Sequence, residues 1–124
     1  MVNNEKHTSQ LLKGVLDMCL LALLAEEPCY GYEIVQKLTE RGLSLVSEGS
    51  IYPILSRLQQ HSYIESYRVP SPEGPSRKYY RLLPAGYKQL AKWAGEWEQF
   101  TASVNIILRR GESHESDEAD GDRR

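Results

Sequence analysis

Cysteine is scarce in this chain. Cys19 and Cys29 are the only two in 124 residues, which rules out a disulfide framework, and their spacing suits no metal. Cys19 lies in an apolar helical run and reads as a small core residue. Cys29 falls in a PCY loop, with nothing near it in sequence that would clearly lower its thiol pKa. Long hydrophobic runs are missing as well. The longest, MCLLALLA (18–25), is roughly half of the ~20 residues a membrane span needs. The opening MVNNEKHTSQ has no apolar signal core. The expectation is a reduced, cytoplasmic protein with no membrane partner.

Catalytic constellations are absent too. His7, His61 and His114 fall in a tail, at a helix end and in a polar terminus. His61 suits the C-terminal dipole of its helix better than catalysis. No paired carboxylates, glycine-rich phosphate loop or nucleophile elbow occurs. The sequence argues against an enzyme and calls for neither cofactor nor metal.

A strong positive charge is also lacking, since the net charge is −2. The charge is unevenly spread, however. Residues 112–124 hold six acids and two bases, which leaves 13 bases and 11 acids in residues 1–111. A body this mildly basic binds nucleic acid only if its bases are well placed.

With 40% hydrophobic and 26% charged residues, the composition is that of a globular protein, and the length suits one domain with an appended element. No internal repeat occurs. Residues 1–10 read as a flexible N-terminus. Leu12, Val15, Leu16, Cys19, Leu20, Leu23 and Leu24 then recur at helical spacing, with Thr8 or Ser9 as cap and Pro28 as stop. A second helix, from about Tyr30 to Arg41, turns Ile34, Val35 and Leu38 inward, and Gly42 is its C′ glycine.

The third helix lies in GSIYPILSRLQ (49–59), capped by Ser47 or Ser50. Ile51, Ile54, Leu55 and Leu58 form its apolar stripe. Pro53 is tolerated there if Gly49, four residues back, sits at or before the helix start.

Tyr63–Val69 and Arg77–Leu83 read as strands joined by the loop PSPEGPS (70–76). Pro84 then opens a helix to about Arg110. Residues 111–124 read as a disordered acidic tail. The order predicts a mainly α protein with a small hairpin: a winged helix-turn-helix over 11–83 and a long C-terminal helix over 84–110.

The outer face of the third helix presents Ser47, Glu48, Gly49, Ser50, Tyr52, Ser56, Arg57 and Gln60. Hydroxyls and helix-start N–H groups suit phosphate oxygens, and Arg57 and Gln60 suit phosphates or base edges. A solvated helix face would look the same. On the hairpin, Arg68, Arg77, Lys78 and Arg81 interleave with Tyr67, Tyr79 and Tyr80. A tip carrying Arg77 and Lys78 fits a phosphate backbone or a minor groove; edge charges that block aggregation are the alternative.

The segment LLKGVLDMCLLALLAEEPCYGYEIVQKL, then GSIYPILSRLQ, then SRKYYRLLPAGYKQL resembles the PadR family of bacterial transcriptional regulators across about residues 11–108. Its marks are the GYEI ending, the G-[ST]-x-Y-P helix start and the R-K-Y-Y-R-L strand. Leu83 departs from the Thr or Ser that often precedes Pro84. The single long last helix resembles the family's short subgroup.

The resemblance implies a homodimeric repressor on double-stranded operator DNA, often released by small aromatic or drug-like ligands. It makes Tyr32, Ser50, Tyr52, Arg77 and Lys78 the expected DNA contacts. A winged protein-interaction module that binds no DNA is the rival reading.

The last helix carries its own case for pairing. Tyr87, Leu90, Ala94, Trp97, Thr101, Val104 and Leu108 step by three and four, and Trp93, Phe100 and Ile107 form a parallel line. A winged domain of ~80 residues cannot cover so wide a band, which calls for a second copy. Leu90, Ala94, Trp97, Phe100, Val104, Ile107 and Leu108 are the expected dimerisation residues. Trp93 and Trp97 are either interface core or the walls of a slot for a flat aromatic effector. The resemblance places Trp97 where some multidrug-responsive members stack a ligand.

Overall fold

The computed structural model describes the backbone of residues 2–121, with the side chains of residue 12 and of residues 15–112. The elements run α1 (Val2–Glu26), β1 (Cys29–Tyr30), α2 (Gly31–Glu40), α3 (Glu48–Gln60), β2 (Ile64–Ser71), β3 (Gly74–Leu82) and α4 (Pro84–Gly121). The chain divides into two compact units, the first ending at Ala91 and the second starting at Lys92.

The first unit is built on an aliphatic core. Leu16, Leu20, Leu21, Leu23 and Leu24 of α1 are buried with Ile34 and Leu38 of α2, Ile51, Leu55 and Leu58 of α3, and Ile64, Tyr80 and Leu82 of the sheet. Leu21 lies off the predicted α1 stripe and is fully buried all the same, because α1 packs against both α2 and β3. No buried polar or charged residue occurs among the described residues. Burial of each large aliphatic side chain stabilises by about 1.5–3 kcal/mol, so this cluster is the main force gathering three helices and a sheet.

Helices α2 and α3 end in the same way. Leu43 N–H donates to Leu38 O at 2.8 Å and Gly42 N–H to Thr39 O at 3.1 Å, with Gly42 at φ 102°. Tyr63 N–H donates to Leu58 O at 3.1 Å and Ser62 N–H to Gln59 O at 2.9 Å, with Ser62 at φ 61°. Both are left-handed caps that satisfy otherwise unpaired carbonyls. Glycine takes that conformation freely at residue 42, whereas Ser62 holds it against a steric cost of about 1–2 kcal/mol.

Several expectations are corrected. The first helix begins at Val2, so residues 2–10 are helical and neither Thr8 nor Ser9 is a cap. No proline or glycine interrupts that stretch, and extending an existing helix is far easier than nucleating one. The last helix likewise continues to Gly121, across most of the segment expected to be disordered. Residues 122–124 lie outside the described residues, as do the side chains of His7 and His114.

Gly49 is the second residue of α3, so Pro53 removes a bond the helix would otherwise make to the Gly49 carbonyl. The hairpin is tighter than expected. Pro70 and Pro75 lie inside strands, and only Pro72 and Glu73 form the turn. Pro70 sits at an irregularity between Val69 and Ser71, the kind of site where a strand accepts proline. Cys29, expected in a loop, and Tyr30, expected to open the second helix, pair with Tyr80 and Tyr79. The sheet is therefore three-stranded and antiparallel, in the order β1-β3-β2.

The second unit is the continuation of α4 from Lys92. Its large apolar side chains are exposed, with Phe100 at 63% and Ile107 at 68%. No helix among the described residues is long and apolar enough to cross a membrane.

Candidate nucleic-acid interface

The start of α3 is organised by its own hydroxyls. Ser47 is extended (φ −114°, ψ 165°) and caps the helix, its Oγ accepting from Ser50 N–H at 3.3 Å and lying 3.0 Å from Ser50 Oγ. This arrangement leaves Ser47 and Ser50 exposed at the positive end of the helix dipole, where anions bind. Tyr52, 43% exposed, donates its hydroxyl to Glu48 Oε2 at 3.0 Å. Desolvation, and then the bond to Glu48, push its pKa up, so the phenol stays a neutral donor.

Beneath Tyr52 lies the buried Gly31. A Cβ there would fall 2.5 Å from the Tyr52 hydroxyl oxygen and 3.0 Å from Cζ. The missing side chain lets the ring rest on the start of α2, beside Tyr30 and Tyr32. Tyr32 is 51% exposed, and its ring stacks on Tyr30 with centroids 6.5 Å apart. Tyr30 precedes α2 and donates its N–H to Glu33 Oε1 at 3.1 Å.

From Tyr30 the surface passes to the wing. Tyr30 is paired with Tyr79 in the sheet and meets its ring edge-on at 5.3 Å. Tyr79 in turn stacks on Tyr67 at 5.9 Å. The Arg77 guanidinium lies 4.6 Å above the Tyr30 ring, and its Nη1 donates to the Tyr30 hydroxyl at 3.2 Å. Arg81 lies 4.8 Å above Tyr67 and pairs with Glu65.

Lys78 is on the other face, its Nζ 5.7 Å from the centre of the buried Tyr80 ring. It stands directly opposite Arg68. Like charges opposite one another in an antiparallel pair repel, and a phosphate between them would relieve that repulsion.

Tyr52 resting at Gly31, and Tyr32 and Arg77 both against Tyr30, thus lead from α3 through the start of α2 to the wing, while Ser47 and Ser50 stand at the start of α3. Lys78 is exposed on the wing's opposite face. Arg57 departs from the expectation. Its Nη2 donates to both carboxylate oxygens of Asp17 in α1 at 3.1 Å, so its guanidinium ties α3 to α1 rather than facing outward unengaged.

Sequence reasoning did not single out Tyr30 or Gly31. The local signal was the YGY triplet at a helix start, where a glycine flanked by rings marks a close approach. Cys29 is fully buried, and Lys37 Nζ donates to its Sγ at 3.3 Å while pairing with Glu27 at 2.7 Å. Desolvation outweighs the lysine, and the thiol pKa is raised.

On α4, Trp97 is 42% exposed and lies 6.3 Å from the ring of Phe100. Thr101 returns its hydroxyl to the Trp97 carbonyl at 2.8 Å, which satisfies that hydroxyl within the helix. Phe100, Ile107 and Leu108 are exposed, while Leu90, Trp93, Ala94 and Val104 are half-buried. Ile106, not among the expected residues, is also exposed. No cluster of potential metal ligands occurs among the described residues.

A helix-turn-helix whose second helix offers its N-terminus, beside a sheet whose hairpin carries cations, defines a winged helix-turn-helix domain. Residues 20–92 match the Transcriptional regulator PadR-like family. A PadR-like transcriptional regulator from Bacillus cereus is 43% identical, covering 80% of this chain and 96% of that one, with a TM-score of 0.73. A PadR family transcriptional regulator from Eggerthella lenta is 28% identical, covering 84% and 90%, with a TM-score of 0.76. An uncharacterised protein of Lysinibacillus sphaericus is 30% identical over 102 residues, covering 81% of this chain and 94% of its own length. The chain belongs to the PadR-like family of transcriptional regulators.

Proposed function

We propose that this regulator is a homodimeric repressor that binds double-stranded operator DNA. In this reading α3 enters the major groove, and Ser47, Ser50, Tyr52 and Tyr32 hold phosphates beside it. Arg77 and Lys78 take the flanking backbone. The observation that carries the reading is the set of exposed hydroxyl, phenol and guanidinium groups at the start of α3, the start of α2 and the wing. Arg57 is left out of this contact set because Asp17 engages it.

The exposed Trp97, Phe100, Ile107 and Leu108, flanked by half-buried Leu90, Ala94 and Val104, support pairing through α4. Two copies fix the spacing of the two reading helices, as a two-fold operator requires. A planar aromatic effector held by Trp97 and Trp93 releases the DNA by favouring a different spacing. The site of action is the cytoplasm.

A mobility shift on the chain's own upstream region tests the central claim. With about 6–10 phosphates contacted, affinity falls roughly 10³–10⁵-fold between 50 and 200 mM salt. Binding that ignores salt, or no shift at all, refutes the contact set and favours a protein-docking role. Light scattering at micromolar concentration checks the dimer, which a folded monomer would contradict. Saturable tryptophan quenching by a planar compound, lost in Trp97→Ala and accompanied by weaker operator binding, checks the effector. Quenching that leaves DNA affinity unchanged refutes release.

A further inference from the structure

We propose that Tyr30 is a positioning residue that presents Arg77 to a DNA phosphate, and so couples the wing to the helix-turn-helix. The inference rests on the DNA-binding reading above. A free arginine on a hairpin samples many rotamers, and each phosphate contact then loses affinity to ordering. Here the guanidinium is held twice by one residue, by the ring face at 4.6 Å and by the hydroxyl at 3.2 Å.

Tyr30 is itself fixed on several sides. Its backbone pairs with Tyr79 and caps α2 through Glu33, while its ring is bracketed by Tyr32 and Tyr79. Because it is the residue immediately before α2, the place it gives Arg77 is set in the frame of the reading helices. A planar guanidinium stacked on a ring still has N–H groups at its rim free to meet phosphate oxygens. Lys78, on the opposite face with Tyr80, gains nothing from Tyr30 and serves as the internal control.

The test is fluorescence anisotropy on a short labelled duplex of mixed sequence, with the full chain at low salt, in a double-mutant cycle. Tyr30→Phe keeps the ring and loses the hydroxyl, and weakens binding about two- to fivefold. Tyr30→Leu loses both and weakens it about tenfold. On an Arg77→Ala background each of these losses shrinks to less than about twofold, whereas on Lys78→Ala each persists in full. Tyr30→Trp, which restores a ring face, recovers most of the loss suffered by Tyr30→Leu. A tyrosine that merely stabilises the fold would weaken binding equally on both backgrounds, and that additivity overturns the proposal. An Arg77→Ala protein that binds like the parent overturns it as well but leaves the DNA-binding reading standing. A parent chain that binds no duplex overturns both.

Discussion

Gly86 and Gly95 lie in the same helix, yet alanine should act on them with opposite signs. A Cβ built on Gly86 falls 2.2 Å from the carbonyl oxygen of Tyr63 and 2.5 Å from Leu82 Cδ1, where real contacts stop near 3.0 Å. That oxygen is backbone, and it already accepts Leu83 N–H at 2.9 Å, so it cannot rotate aside. The start of α4 must retreat by close to an ångström.

Overpacking of this kind costs about 1–3 kcal/mol, and a weakened buried hydrogen bond adds about 1 kcal/mol. Better helix propensity returns at most about 1 kcal/mol. The net expectation for Gly86→Ala is a loss of about 1–3 kcal/mol, or roughly 5–20 °C in Tm for a unit of this size. At Gly95 the built Cβ meets nothing within 4 Å, so Gly95→Ala gains about 0.5–1 kcal/mol. Urea and thermal unfolding followed by circular dichroism measure both. A Gly86→Ala protein as stable as the parent refutes the packing argument. A Gly95→Ala penalty that varies with protein concentration would instead mark a subunit contact there.

Three further outcomes follow from the site. Gly31→Ala pushes the Tyr52 ring off α2 and breaks its bond to Glu48. The displaced atoms are the far end of a flexible side chain, so stability falls by less than about 1 kcal/mol while duplex affinity drops several-fold in anisotropy titrations. Arg57→Ala removes an exposed ion pair with Asp17 and costs about 0–1 kcal/mol of stability; it leaves the slope of log affinity against log salt unchanged, whereas Arg77→Ala lowers that slope by about one. Burial pushes both thiols above their ordinary pKa, so both are protonated at neutral pH. With a disulfide reagent, half-buried Cys19 reacts first and the fully buried Cys29 only as the sheet opens, its rate rising with urea.

What was legible in the sequence follows the reach of each physical signal. The stripe of Ile51, Leu55 and Leu58 announces its helix because period 3.6 is a local property. Gly42 could be placed at a left-handed cap because glycine is the default there. Ser62 adopts the same conformation without any compositional mark, held by the bonds around it. β1 escaped notice because two residues cannot display a period of two. Pro70 and Pro75 looked like loop residues because proline demotes a strand unless it falls on an edge or a bulge, and edges are a tertiary fact. The partner of Arg57 was hidden for the same reason: the carboxylate that engages it lies 40 residues away in α1. At the site, the hydroxyls of Ser47, Ser50 and Tyr52 could be named from spacing. Tyr30 could not, since its role depends on a strand pairing that the chain makes only when folded.

The prolines of the wing bear on solubility. A three-stranded sheet has two open flanks, and an open flank is an invitation to pair with another chain and grow into an aggregate. β2 forms one flank along its whole length, and β3 is unpaired on its other side except where Cys29 and Tyr30 meet it. Pro70 interrupts the first flank and Pro75 the second, each removing an amide that a stranger's carbonyl would seek. The exposed cations Arg68 and Lys78 add repulsion between like surfaces. Strand exchange between copies is thereby disfavoured along β2 and along the free part of β3.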